Sequence, residues 1–396
     1  MSKNIVFCAD GTWNGPGEAD TDDQNATASN VFKLFLSVSG VDAPDTAQLA
    51  KEQERTLRAA DLSVVQVSKY LHGVGDSANF LAKLIGGGVG VGLITRIVRG
   101  YTFVSRNYVA GDRIYLVGFS RGAYTARALA GLIAAKGLLN PAMFNLDDKP
   151  TAYRLGSAVW YQWRREKLAA APLTHLGDIA LDLPGFLSRG PDPTGLVDAP
   201  IEAVAVWDTV GALGIPIFNN EHVAVDIFQF ADRALSGKVK FGRHAVSIDE
   251  EREGFTPTLW DADPARITQV LFPGRHADVG GGYSNSTGET GLSDGALQWM
   301  RRELTELGVV FAAPLINEKP DSIGPAHREW LKPLWKALPV GPRVLPAGLG
   351  LSKSVIDRMQ AAAVIPAPGT QAEPYRPPNI PSYLNGNAAA PGVELV

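Results

Sequence analysis

Short apolar runs alternate with longer helical patterns along most of this chain. The apolar runs that predict buried strands are Asn4–Ala9, Ser63–Tyr70, Arg113–Val117, Ile201–Trp207 and Ile267–Phe272. The helical patterns lie at about 31–35, 93–108, 123–136 and 153–168. Strands that alternate with helices over such long spacings indicate a mostly parallel sheet with helices on its faces. The pattern therefore predicts an α/β fold.

The same pattern suggests how the chain is organised into domains. Residues 1–312 carry the strands and helices and are expected to form one domain, with a cap-like insertion around 141–199. Residues 313–396 are proline-rich and weakly patterned, which predicts an extension that packs on that domain or trails from it. Residues 43–62 show no strand signal, and the segment around His244 is expected to be helical.

Composition narrows the classes of partner and compartment. The net charge is −4 and no dense run of Lys and Arg occurs, so a nucleic-acid partner is not expected. A single cysteine, Cys8, excludes an internal disulfide framework. The N-terminal apolar run is broken by Asp10 after five residues, too early for an export signal. Synthesis in the cytoplasm is therefore predicted.

One glycine-rich segment, Phe80–Val98, raises the question of membrane contact. Its charged residues Lys83 and Arg96 bracket twelve uncharged residues, well short of the ~20 apolar residues that a span requires. A membrane-spanning helix is not predicted, whereas transient contact with a lipid surface stays open. The sequence also has no cluster of cysteine and histidine at metal-ligand spacing, so neither a metal nor a cofactor is predicted.

The strongest chemical signal is a G-x-S-x-G turn at Gly118–Gly122, between a predicted strand and an alanine-rich helix. Such a turn exposes its serine on a strained backbone, and the glycines permit close packing around it. Amide groups at the start of the following helix stabilise a developing oxyanion. The context predicts an α/β-hydrolase-like fold with Ser120 as the nucleophile.

A nucleophilic serine requires a histidine base and an acid further along the chain. Among six histidines, only His276 follows an apolar strand and enters a glycine cluster. That cluster predicts a flexible loop that brings the imidazole to the serine. For the acid, Asp208 ends the strand Ile201–Trp207, while Asp249 is the main alternative and Asp278 a third.

The oxyanion site requires two amide donors. The amide of Arg121, directly after the serine, is one expected donor, and Gly11 or Thr12 after the first strand supplies the other. The neighbouring Asp10 has three open interpretations: it belongs to this oxyanion loop, binds a metal, or holds the loop in place.

Four segments resemble one known family in order and spacing: Phe7–Asn14, Gly118–Arg127, Val206–Gly211 and Phe272–Tyr283. The family is the α/β-hydrolase domain of uncharacterised function that is shared with the first family of type VI secretion phospholipase effectors. The resemblance implies an esterase with Ser120, Asp208 and His276 as its triad. A later family motif, His-x-Ser-Val-x-x-Arg, is similar to Ser352–Arg358, where serine replaces the histidine.

Three functions follow as hypotheses. The first is a lipolytic, phospholipase-like serine hydrolase that works through an acyl-enzyme without a cofactor. The second is a small-ester or peptide hydrolase of the same mechanism, and the third is a non-catalytic, hydrolase-like binding module. The resemblance implies two further expectations. One is delivery into a target cell by a secretion system, and the other is a partner from the secretion apparatus or an immunity protein. The substrate is expected to be a lipid or another ester.

Overall fold

A single mixed sheet runs through the part of the chain that the structure describes. This computed structural model describes residues 2–11, 28–43, 52–73, 89–169, 193–210, 233–284, 287–312, 318–328, 339–346, 348–377 and 379. The strands are β1 (Asn4–Ala9), β2 (Val41–Asp42), β3 (Glu52–Arg58), β4 (Val64–Leu71), β5 (Arg113–Phe119), β6 (Ile201–Trp207), β7 (Val239–Ser247), β8 (Ile267–Phe272) and β9 (Gly350–Leu351). Their spatial order is β2-β3-β4-β1-β5-β6-β7-β8-β9. Pairing is parallel from β4 to β9 and antiparallel at the β2-β3-β4 edge.

Helices cover both faces of this sheet. The described helices are α1 (Asn30–Ser37), α2 (Val89–Asn107), α3 (Arg121–Lys136), α4 (Lys149–Ala169), α5 (His276–Gly280), α6 (Gly291–Glu306) and α7 (Lys353–Gln360), with a 3₁₀ turn at Glu253–Phe255. On one face, Ile5 and Phe7 of β1 share an apolar core with α2, α3 and α4. On the other, Val6 and Cys8 share a core with α1 and α6. Because β1 is buried on both faces, its sequence is continuously apolar rather than alternating.

The predicted α/β class with a mostly parallel sheet is confirmed. All five predicted strands are present, as β1, β4, β5, β6 and β8. Two expectations were wrong. Residues 43–62 contain the strand β3, whose sequence is mostly charged or polar and therefore shows no apolar alternation. Its charged side chains form ion pairs with neighbours such as Lys69 and Arg106. His244 lies in β7, where Lys, Gly and Arg residues obscure the strand pattern.

Several predictions fall on residues outside the described ranges. These are Thr12, residues 80–88 of the glycine-rich segment Phe80–Val98, residues 170–192 of the predicted insertion, and the tail after 379. The division into a domain at 1–312 and an extension at 313–396 stays a prediction. Among the described helices, none combines the length and apolarity that a bilayer span requires.

Candidate active site

Three polar side chains meet at the carboxyl edge of the parallel sheet. Ser120 follows β5, Asp208 follows β6, and His276 lies four residues beyond β8. The Ser120 Oγ lies 2.9 Å from Nε2 of His276. Nδ1 of the same ring lies 2.6 Å from Oδ2 of Asp208. Strands in parallel register bring their carboxyl ends to one edge, which is how residues 156 positions apart come into hydrogen-bond contact.

Ser120 lies on a sharp turn between β5 and α3. Its backbone has φ 55° and ψ −122°, a combination that side-chain-bearing residues rarely adopt. A Cβ at Gly118 would lie 2.3 Å from the carbonyl oxygen of Gly122, and one at Gly122 would lie 2.0 Å from that of Ala9. The turn therefore requires both glycines, because any side chain there would collide with backbone atoms.

Asp208 is fully buried and hydrogen-bonded at both carboxylate oxygens. Oδ1 accepts from the Ser247 amide at 3.0 Å and from Nη1 of Arg343 at 2.8 Å. Oδ2 accepts from His276 and, at 2.9 Å, from Nη2 of Arg343. Burial alone would raise the pKa of Asp208, but the Arg343 charge and the His276 hydrogen bond outweigh it and hold the pKa well below its ordinary value. Asp208 is therefore ionised at neutral pH.

The His276 imidazole is fixed by aromatic and polar neighbours. Its ring centroid lies 4.7 Å from that of Phe119 and 5.0 Å from that of Phe255. Its backbone amide donates to the Glu250 carboxylate at 3.2 Å. Burial lowers the pKa of His276 below the ordinary 6.5, although Asp208 opposes this shift. With Nδ1 donating to Asp208, the neutral ring presents the Nε2 lone pair to Ser120.

The glycine cluster after His276 is closely packed, contrary to the flexible loop that the sequence predicted. His276 begins the short helix α5. A Cβ at Gly280 would lie 2.0 Å from the Phe119 ring, and Gly281, at φ 81°, would bring one to 2.6 Å from the Asn30 amide. The glycines thus allow α5 to approach α1 and Phe119, the residue before Ser120.

The two alternative acids have other partners. The Asp249 carboxylate accepts from the Gly274 amide at 2.6 Å and from the Tyr375 hydroxyl at 2.8 Å. The Asp278 carboxylate contacts Nδ1 of His327 at 2.6 Å. The structure brings Asp208, and neither of these, into contact with the His276 ring.

The structure describes two of the three expected oxyanion donors, Arg121 and Gly11. Arg121 is the first residue of α3, where helix amides lack intrahelical partners. The Gly11 amide follows β1 and donates to its neighbour Asp10 at 2.7 Å. Thr12 lies outside the described residues.

Asp10 holds this loop through several hydrogen bonds. Its buried carboxylate also accepts from the Ser29 hydroxyl at 2.6 Å and the Tyr70 hydroxyl at 2.7 Å. Burial raises the pKa of Asp10 to about 6, against the opposing effect of these hydrogen bonds. Within the described ranges, no group of three or more His, Cys, Asp or Glu side chains is arranged to hold a metal ion. These contacts favour the third interpretation of Asp10, a residue that holds the loop in place.

Sequence reasoning missed Arg343, Ser247 and Glu250, which contact Asp208 or His276 directly. Arg343 lies in the proline-rich region, in a stretch with no motif. No local sequence signal distinguishes it from the other arginines of the chain.

Comparison with known proteins identifies relatives of this chain. The family profile described as "T6SS, Phospholipase effector Tle1-like, catalytic domain" matches residues 3–303. The uncharacterized protein YEL023C of Saccharomyces cerevisiae is 26% identical over 253 residues, which are 64% of this chain and 32% of the yeast protein.

Two solved structures are also similar. An uncharacterized protein from Pseudomonas aeruginosa aligns with a TM-score of 0.38 and 17% identity over 79% of this chain and 47% of that chain. The Tle1 effector bound to the VgrG spike of the type VI secretion system aligns with a TM-score of 0.37 and 16% identity, over 72% of this chain and 52% of that chain.

The extent of these matches differs between the family and the individual relatives. This chain spans about a third of the yeast protein and about half of each solved chain. The family profile, by contrast, covers well over half of the 396 residues. The family that the sequence resembles is thereby confirmed: the chain belongs to the family described as the catalytic domain of Tle1-like phospholipase effectors of type VI secretion.

Proposed function

We propose that this chain is a serine hydrolase with an α/β-hydrolase fold that cleaves acyl ester bonds of phospholipids. The observation that carries the proposal is the hydrogen-bonded series Ser120–His276–Asp208 at the carboxyl edge of the sheet. Along the chain, the proposed nucleophile Ser120 comes first, the acid Asp208 second and the base His276 third. This is the order found in α/β-hydrolases. The strained backbone at Ser120 supports the same assignment.

The proposed reaction proceeds in two halves. Ser120 Oγ attacks the acyl carbonyl while Nε2 of His276 takes its proton, and Asp208 stabilises the imidazolium. The tetrahedral intermediate collapses when the ester C–O bond breaks and Nε2 returns the proton to the leaving alcohol. Water then attacks the acyl-enzyme, giving its proton to Nε2, and the free fatty acid leaves as Ser120 recovers its proton.

The oxyanion of each tetrahedral intermediate is proposed to accept from the Arg121 amide and from Gly11 or Thr12. Since the Gly11 amide donates to Asp10, it would have to exchange that partner for the oxyanion. The Arg121 amide benefits in addition from the positive end of the α3 dipole.

Family membership supports a lipid substrate and delivery by a secretion system. Contact with a membrane surface would be transient. Binding to a secretion spike is proposed for this chain as well. The spike complex itself was seen with the solved Tle1 effector. The alternative is a hydrolase of small esters with the same mechanism, and the substrate test must distinguish it from a phospholipase.

Labelling with a fluorophosphonate probe tests the mechanism. The wild-type protein should be labelled covalently, whereas Ser120→Ala should show no labelling. Ser63→Ala is the matched control, because Ser63 lies in the turn between β3 and β4, far along the chain from the site. Unlabelled wild type, or labelling that survives Ser120→Ala, would refute the assignment.

Products from mixed phospholipid vesicles test the substrate class. Mass spectrometry should detect free fatty acids and lysophospholipids with the wild type and none with Ser120→Ala. Turnover restricted to short soluble esters would contradict the phospholipase assignment while leaving the serine mechanism intact.

A further inference from the structure

Arg343 makes a two-point ion pair with the candidate acid from a part of the chain beyond the family match. Both terminal nitrogens of its guanidinium lie within 3 Å of Asp208, at 2.8 Å from Oδ1 and 2.9 Å from Oδ2. The side chains are 3% and 0% exposed, so solvent screens this pair weakly. Planar, two-point recognition of a carboxylate is a property of arginine that lysine lacks.

The stretch that carries Arg343 is anchored next to the site. Val340 forms an antiparallel bridge with Arg252, flanked by hydrogen bonds of 2.7 Å from the Gly341 amide to Glu251 and 3.1 Å from the Glu253 amide to Pro339. The Arg343 guanidinium also donates to the carbonyls of Ser247 and Phe255. The backbone just before Arg343 and the guanidinium itself are thus tied to the segment that follows β7.

The bonds to Asp208 account for the whole acceptor capacity of its carboxylate. An ionised carboxylate offers about four acceptor positions. Two are taken by Arg343, one by the Ser247 amide and one by His276. Rotation about the last side-chain torsion of an aspartate is otherwise soft. The guanidinium fixes the carboxylate plane, so that Oδ2 points at Nδ1 of the imidazole.

We infer that Arg343 is a positioning residue for the acid Asp208, so that residues 339–346 complete the site. The inference rests on the proposed function, because it gives Asp208 the role of the acid. Arg343 acts through Asp208 and His276.

Charge provides a second consequence that a purely structural role would lack. The cation next to Asp208 offsets part of the negative charge that the imidazole experiences. The Glu250 carboxylate, which raises the pKa of His276, and the Arg252 guanidinium, which lowers it, stay in place when Arg343 is replaced. Removing the Arg343 cation strengthens the attraction between Asp208 and the protonated ring, which raises the pKa of His276. The base must be neutral to accept a proton, so the rate falls at low pH as His276 becomes protonated. This part of the pH–rate profile, the acidic limb, would therefore move to higher pH.

The test measures the rate of phosphonylation of Ser120 by an uncharged phosphonate across pH for full-length variants. Arg343→Met should lower the plateau rate roughly 10²-fold, as expected for a misaligned acid, and move the acidic limb to higher pH. Arg343→Lys keeps the charge but loses the two-point contact. It should therefore lower the plateau while the limb stays in place.

Arg358→Lys is the matched control. Arg358 is another buried arginine of the C-terminal region, and its guanidinium donates to the carbonyls of Ser322 and Gly324. None of the hydrogen bonds found in the described part of the chain joins Arg358 to the triad side chains. Its substitution should leave both the plateau rate and the position of the acidic limb unchanged. Circular dichroism should show that the variant is folded.

The outcomes separate this inference from the proposed function. Wild type without labelling means that the proposed function is wrong. Wild type with labelling, together with Arg343→Lys at the wild-type plateau, would overturn the positioning role. A limb that does not move in folded Arg343→Met would overturn it as well. If Arg343→Met does not fold, the plateau of Arg343→Lys carries the test.

Discussion

At the residue scale, backbone strain concentrates at the candidate site. Among the described residues other than glycine, positive φ values occur at Ser120, Asp208 and Leu62. Two of these three positions belong to the proposed triad. Such conformations cost about 1–3 kcal/mol each and persist only where surrounding structure enforces them. The enforcement is visible at Asp208, whose amide donates to the Ala245 carbonyl at 2.7 Å while its carboxylate is held on both oxygens.

Replacing Asp208 by asparagine should lower kcat roughly 10⁴-fold, the loss seen when a triad acid becomes an amide in another hydrolase. The amide oxygen can no longer serve all four donors, and an NH₂ group directed at His276 would favour the wrong imidazole tautomer. Hydrolysis of a soluble chromogenic ester measures the effect.

Asp249→Asn is the matched control for this variant. The Asp249 carboxylate binds the Gly274 amide and the Tyr375 hydroxyl, and an amide oxygen can accept from the same donors. A much smaller loss is therefore expected. A loss at Asp249 larger than that at Asp208 would assign the acid role to Asp249.

The sequence locates the parts of this site that carry local motifs. Ser120 lies within a five-residue pattern, and His276 follows a strand and precedes a glycine cluster. The choice between Asp208 and Asp249 requires knowing which strand end faces the imidazole, a property of sheet order. Arg343 lies 135 residues from Asp208 and carries no motif, so only the three-dimensional structure reveals the pair.

At the element scale, the contact between the start of α3 and the end of β1 decides how the serine is presented. α3 begins directly after Ser120, and the first strand ends at Ala9 beside it. A Cβ at Gly122 would lie 2.0 Å from the Ala9 carbonyl oxygen and 2.6 Å from that of Asp10. Both obstacles are backbone atoms, which cannot move aside as a flexible side chain would.

Gly122→Ala should therefore destabilise the protein by about 1–3 kcal/mol or more and reduce labelling of Ser120, because α3 must move away from β1. Urea unfolding and probe labelling measure the two effects. Gly295→Ala is the control: this glycine lies within α6, where an added methyl group would point into open space, and alanine should stabilise the helix by up to about 1 kcal/mol. Equal stability of the two variants would contradict the packing argument.

At the scale of the whole molecule, the C-terminal region contributes to the sheet and to its core. β9 pairs in parallel with β8 through Gly350 and Leu351. A third apolar cluster joins the two regions; its buried members are Val246, Ile248, Leu271, Leu345, Leu349, Leu351 and Val355. The sequence could not predict this arrangement, because a two-residue strand among prolines gives no periodic signal. Together with Arg343, the cluster ties the described residues between 343 and 355 to the strands β7 and β8.

Leu351→Ala tests this integration. The side chain is fully buried between the C-terminal region and β8, so truncation should lower the free energy of unfolding by about 2–5 kcal/mol. Val344→Ala, at a 91% exposed position in the same region, should change it by less than about 0.5 kcal/mol. Urea denaturation followed by tryptophan fluorescence reports on unfolding of the core, because tryptophans such as Trp207, at the end of β6, lie buried there. If the region merely trailed from the domain, Leu351→Ala would leave the midpoint of this transition unchanged.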